Sequence, residues 1–125
     1  MNIAVISGRT TSDINLKYTS SGTAVGTVTV AVDRDYQKDG KKETDFIPVV
    51  IWGKTAEFAA TYIAKGNRME VSGRIQVRNY EAKDGTKRYV TEIIADKVKP
   101  IDWAEKPNTD GFSDMAPVDD GDIPF

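Results

Sequence analysis

The chain opens on a short apolar run, Ile3-Ala4-Val5-Ile6, cut off by Ser7-Gly8. A few residues later Ile14-Asn15-Leu16-Lys17-Tyr18 alternates apolar and polar side chains, the period of a strand with one buried face. Together these two pieces read as one long, interrupted first strand. Thr23 to Val32 alternates around Val28, Val30 and Val32 and is rich in β-branched residues, which suits a second strand. Lys38-Asp39-Gly40-Lys41 supplies an Asp-Gly turn, and Thr44 to Trp52 returns as a third strand, so a hairpin is expected. Pro48 lies inside the returning arm. It has no N–H for the ladder and therefore belongs at an edge or a bulge.

From Lys54 to Lys65 the period changes. Phe58, Ala59, Tyr62 and Ile63 share one helical face, Ala56 and Ala60 favour helix, and Gly66 suits a C-terminal stop. Alternation resumes through Met69, Val71, Gly73, Ile75 and Val77. A second Asp-Gly turn, Asp84-Gly85, then leads into Tyr89 to Val98. The spacing thus predicts an all-β protein with one helix: five strands, the helix between the third and fourth. That is the element order of the five-stranded Greek-key OB barrel. The domain is expected to span residues 1–103.

Beyond Trp103 the periodicity stops. Residues 104–125 hold three prolines, two glycines and six acids, a composition that cannot bury enough surface to order its backbone, so a disordered acidic C-terminal tail is expected. The net charge of −2 divides unevenly: residues 1–103 carry +3 and residues 104–125 carry −5. A mildly basic body is compatible with an anionic ligand, which the overall charge conceals.

The chain has neither cysteine nor histidine, which removes disulfides, thiol catalysis, thiolate zinc sites and the commonest general base. No carboxylate pair outside the tail has metal-ligand spacing, and no glycine set has the spacing of a phosphate loop. Asp119, Asp120 and Asp122 could hold a divalent cation only loosely. A non-enzymatic protein without metal or cofactor is the expectation. No signal-peptide pattern and no run long enough to cross a bilayer is visible, so a soluble, cytoplasmic protein without membrane contact is expected.

The aromatic and basic residues are interleaved. Tyr36 adjoins the first Asp-Gly turn, Phe46 and Trp52 lie on the third strand six residues apart, and Tyr80 adjoins the second turn. Arg34, Lys38, Lys54, Arg74, Arg78, Lys87 and Arg88 lie near them. Single-stranded nucleic acid needs flat side chains to stack its bases and cations to follow its phosphates. The competing reading makes Phe46 and Trp52 core residues and the cations ordinary loop solvation. At the other end, Asp119-Asp120-Gly121-Asp122-Ile123-Pro124-Phe125 places apolar side chains and a terminal carboxylate at the tip of an acidic lead. That chemistry suits a small, basic-rimmed pocket on a partner protein.

Met1-Asn2 leading straight into the first strand, Asp45 to Glu57, Tyr62 to Gly66, Val71 to Ile75, Asp84 to Tyr89 and the Asp-Ile-Pro-Phe ending form one combination that covers nearly the whole chain. That combination resembles the pattern of the bacterial-type single-stranded DNA-binding protein family. The resemblance implies base stacking on Tyr36, Phe46, Trp52 and Tyr80, and a homotetramer of barrels in which residues 2–8 pair between subunits. Tyr36, Phe46 and Tyr80 stand where many relatives have Trp. Thr10-Thr11, Ser21-Gly22, Gly121 and the short lead to the tip also depart from the family's pattern. The function expected is sequence-independent single-stranded DNA binding that protects strands and recruits replication, recombination and repair proteins through the tip. The alternative is an OB-fold assembly adaptor with weak nucleic-acid binding.

Overall fold

A computed structural model describes residues 1–102, with the side chains of residues 36–38 excepted; the tail and its tip lie outside the described residues. The elements run β1 (Ala4–Thr10), β2 (Asn15–Tyr18), β3 (Ala24–Lys38), β4 (Lys41–Trp52), α1 (Gly53–Tyr62), β5 (Arg68–Glu81) and β6 (Lys87–Pro100). β1 and β2 are the two halves of the interrupted first strand. Counted as one, they give the five strands and single helix that the periodicity predicts.

The sheet closes on itself. β1 pairs antiparallel with β5, β5 with β6 and β4 with β3, while β6 and β4 run parallel at Val49–Ile93, Val50–Ile94 and Ile51–Ala95. The ring shuts where Arg9 and Thr10 of β1 reach Ala31 and Val30 of β3. Gly8 makes that closure possible: a Cβ there would sit 2.3 Å from the Ala31 carbonyl oxygen. Thr10, buried, fixes the corner by donating its hydroxyl to the Ala64 carbonyl at 2.8 Å. Thr11 turns the chain toward β2 through its own bonds to the Thr29 carbonyl.

Inward positions follow the alternation. Val30, Val49, Ile51, Met69, Val71 and Val98 are fully buried at the barrel centre. Each such side chain contributes about 1.5–3 kcal/mol by leaving water. The helix closes one end with Ala56 and Ala59, and Ile63 follows just past its last turn. Phe58 and Tyr62 are only half-buried and meet each other at a tilt of 48°, with ring centroids 5.0 Å apart. The buried stripe is therefore carried by small residues that let the helix approach the strands. The helix also ends at Tyr62, three residues short of Lys65, because Ile63 is already extended and the Asn67 side chain bonds the Ala64 N–H at 2.7 Å.

Both Asp-Gly turns are present. Asp39 and Gly40 take φ of 54° and 74°, the mirror-image turn that matches strand twist, so pairing runs up to Lys38 and Lys41. Two extra residues on β3 between Asp33 and Gln37 bulge the ladder there. Pro48 pairs with Thr29 of β3, and pairing with β6 begins only at Val49, so on that side Pro48 stands outside the ladder. β1 keeps one open side. Ala4 to Ser7 pair only with β5, and the Asn2 side chain extends that pairing by bonding both the N–H and the carbonyl of Ile75. Among the described residues no helix is long and apolar enough to cross a membrane.

Candidate nucleic-acid interface

On β4, Ile47, Val49 and Ile51 turn inward, so Phe46, Pro48, Val50 and Trp52 must turn outward. Phe46 is 64% exposed and Trp52 47% exposed, which removes the reading of these two as core. Six residues of strand place them about 20 Å apart on one face.

Register carries that face across the barrel. Thr27 of β3 pairs with Val50 of β4, Val50 with Ile94 of β6, and Ile94 with Arg74 of β5. Paired residues share a face, so Arg74 and its same-side successors Gln76, Arg78 and Tyr80 continue the surface that holds Trp52. Arg88, opposite Tyr80, joins them. Lys87 does not: it pairs with Glu81, one residue out of phase, and faces the other side of the hairpin. Lys54 is exposed in the first turn of α1, two residues after Trp52, where the helix end already favours an anion. Tyr36 and Lys38 lie on the backbone of β3, but their side chains are outside the described ones. Asp119, Asp120, Asp122, Ile123, Pro124 and Phe125 are outside the described residues altogether.

The cations differ in what already holds them. Arg34 grips Asp45 with Nε at 3.1 Å and Nη2 at 2.9 Å, and donates Nη1 to Glu43. Arg34 also holds the Asp45 carboxyl below its ordinary range. Asp33 next to it is lowered by the Thr44 hydroxyl and by Lys42 at 3.3 Å. Arg78 donates Nε to Glu92 at 2.8 Å. Arg88 leans on Asp84 at 3.7 Å, and the Asp84 carboxyl is lowered mainly by the Thr86 hydroxyl. Arg74 bonds Gln76 at 3.0 Å. Among the described residues, Lys54, Arg74 and Lys87 pair with no carboxylate.

Three carboxylates on or beside this face escaped sequence reading: Glu43, Asp45 and Glu92. Strand parity offered a signal for the last, since Glu92 shares the phase of Arg88 on β6. Its burial had no signal: Glu92 is 4% exposed, the one buried acidic or basic side chain among the described residues. The same residues hold no group of three metal-ligating side chains.

A sequence profile described as the Single-strand binding protein family matches residues 1–101. The Single-stranded DNA-binding protein of Clostridium tetani is 50% identical, with 100% of both chains aligned. Single-stranded DNA-binding protein 3 of Clostridium acetobutylicum is 49% identical, again over 100% of both. The Single-stranded DNA-binding protein of Bacillus cereus is 48% identical over 79% of this chain and 59% of its own length.

Proposed function

The chain belongs to the single-strand binding protein family, and from that premise and the geometry we propose that it binds single-stranded DNA without sequence preference and without catalysis. The observation that carries the reading is the outward placement of Phe46 and Trp52 on the sheet face that Arg74, Arg78 and Tyr80 continue. Exposed rings on a strand face cost apolar hydration unless something covers them, and unpaired bases are flat partners available at every position of a single strand. Every base has such a face, so stacking discriminates little between them. The cations follow the backbone: Lys54 and Arg74 are available to phosphate on this face, Lys87 only from the other side of the hairpin, whereas Arg34, Arg78 and Arg88 must share or exchange their carboxylates.

The open side of β1 supports assembly. Ile3 and Val5, 67% and 70% exposed, flank an unpaired strand edge, and a second copy pairing along residues 2–8 would satisfy both the backbone and the apolar surface. Tetramer formation through the barrels places several stacking faces on one particle. The acidic tip, ending in Ile123, Pro124 and Phe125, docks replication, recombination and repair proteins and brings them to the covered strand in the cytoplasm.

The test is competition. A labelled oligothymidine bound to the full-length protein is challenged with unlabelled oligothymidine, oligodeoxycytidine, a mixed-sequence single strand and a duplex of the same length. The three single strands displace it at similar concentrations and the duplex only at far higher ones. Displacement by duplex and single strand alike, or no binding at all, contradicts the reading.

A further inference from the structure

The sheet face that carries Trp52 does not stop at β3. β2 lies beyond it, with Lys17 opposite Val25 and Asn15 opposite Thr27. On the far side of β3, Val25 pairs with Trp52 and Thr27 with Val50. Two outward rows result: Lys17–Val25–Trp52, and Asn15–Thr27–Val50, which continues through Ile94 to Arg74. Leu16 and Tyr18 take the other phase of β2, and the Tyr18 hydroxyl bonds Glu57 of α1 at 3.0 Å.

Between β2 and β3 this surface forms a shallow cleft of about 210 Å³, lined by the outward-phase Asn15, Lys17, Val25 and Thr27 and, where β2 ends, by Tyr18 and Thr19. No carboxylate lines it. Lys17 is exposed and pairs with no acid among the described residues, and the Asn15 side chain is exposed as well. Two strand spacings, about 10 Å, separate the backbones of Lys17 and Trp52. A base stacked on the indole and the phosphate of its neighbour can span that distance. At the opposite end of the longer row, Arg74 is likewise a cation without a carboxylate.

We propose that the cleft is a nucleotide subsite: the strand leaves Trp52, crosses Val25, sets its next phosphate on the Lys17 ammonium and brings a base edge to the Asn15 amide. The path then runs across the strands from Arg74 to Lys17, with Trp52 between two cations. Val25 and the Thr27 methyl form the floor under the sugar. The inference rests on the single-stranded DNA reading above. It adds β2, which none of the candidate residues includes.

The test uses full-length protein and oligothymidine, with affinity measured across a series of salt concentrations. Lys17→Ala lowers affinity severalfold and reduces the slope of log affinity against log salt by about 0.7. Lys17→Arg restores both. Lys65→Ala removes the same charge beyond the far end of the helix and leaves the slope as it is. Asn15→Ala weakens binding with the slope unchanged. Thermal midpoints stay at the wild-type value, because neither side chain is buried. A wild-type affinity and slope in Lys17→Ala overturns the subsite and leaves the Trp52 face standing. A slope reduced equally by Lys65→Ala also overturns it, because diffuse charge would then explain the effect. Failure of the wild-type protein to bind oligothymidine overturns the underlying reading along with it.

Discussion

Arg78 Nε lies 2.8 Å from Glu92 Oε1, and the two ends of this ion pair stand in different surroundings: the Glu92 side chain is 5% exposed, that of Arg78 54%. The arginine can exchange its partner for water, but the carboxylate cannot. Arg78→Ala therefore strands a buried charge and costs about 3 kcal/mol of folding stability. Glu92→Gln keeps an acceptor for the guanidinium and costs about 1 kcal/mol. Urea unfolding of the two variants measures the asymmetry, and equal losses would show that the Arg78 ion pair is not what offsets the burial of the Glu92 side chain.

Asp45 and Glu43 hold Arg34 on the same hairpin that would meet DNA, and they repel phosphate. Asp45→Asn combined with Glu43→Gln should raise single-strand affinity and steepen its salt dependence by about 0.7, the increment for one further phosphate contact. Affinity measured from low to high salt reads both effects. A loss of affinity would mean that the carboxylates position Arg34 rather than compete for it.

Asp33, Asp45, Asp84 and Asp102 all titrate below the ordinary aspartate range, chiefly through hydrogen bonds from Thr44, Arg34, Thr86 and Arg68 respectively. Folding lowers these pKa values, so their stabilisation is complete above the unfolded value of about 3.9 and fades as pH falls through the lower folded values. The chain has no histidine to add a transition near neutrality. The melting temperature should be level from about pH 5 to 8 and decline below about pH 4, which calorimetry across that series measures. A step between pH 5 and 7 would contradict this.

Removal of residues 119–125 should leave folding and assembly intact, hold or slightly raise single-strand affinity at low salt, and abolish capture of partner proteins. Phe125→Ala alone should reproduce most of the last effect with the charge unchanged. Pull-downs from bacterial lysate with the three proteins compare them, and equal recovery by all would reduce the tail to a solubilising segment.

The parity of single residues decided how much of this was legible in the sequence. Val28, Val30 and the Asp39-Gly40 pair announce their strand and turn without help. Ile47 to Trp52 is different: apolar residues occupy both phases, and only the closed barrel shows that Val49 and Ile51 take the inside while Phe46 and Trp52 take the outside. The β5–β6 hairpin runs further than the alternation shows, because Arg78, Asn79 and Glu81 carry no apolar pattern although their backbones pair. The helix stops at Tyr62 rather than Lys65, since Asn67 caps a turn that composition alone cannot place. The partners of Arg34 and Arg78 depend on cross-strand register, and for Arg34 on the bulge after Asp33. Local pattern does not encode either.

Stacking of bases on the exposed rings of β4 has a direct optical readout. In a Trp103→Phe background Trp52 is the sole tryptophan, and its fluorescence can be followed as oligothymidine is added. Stacking should quench it strongly at submicromolar protein, and adding Phe46→Ala should weaken the titration by about 1–3 kcal/mol with little change in melting temperature. An emission spectrum that stays unchanged while the oligonucleotide binds, or a Phe46→Ala protein that unfolds early yet binds as before, would place these rings outside the interface.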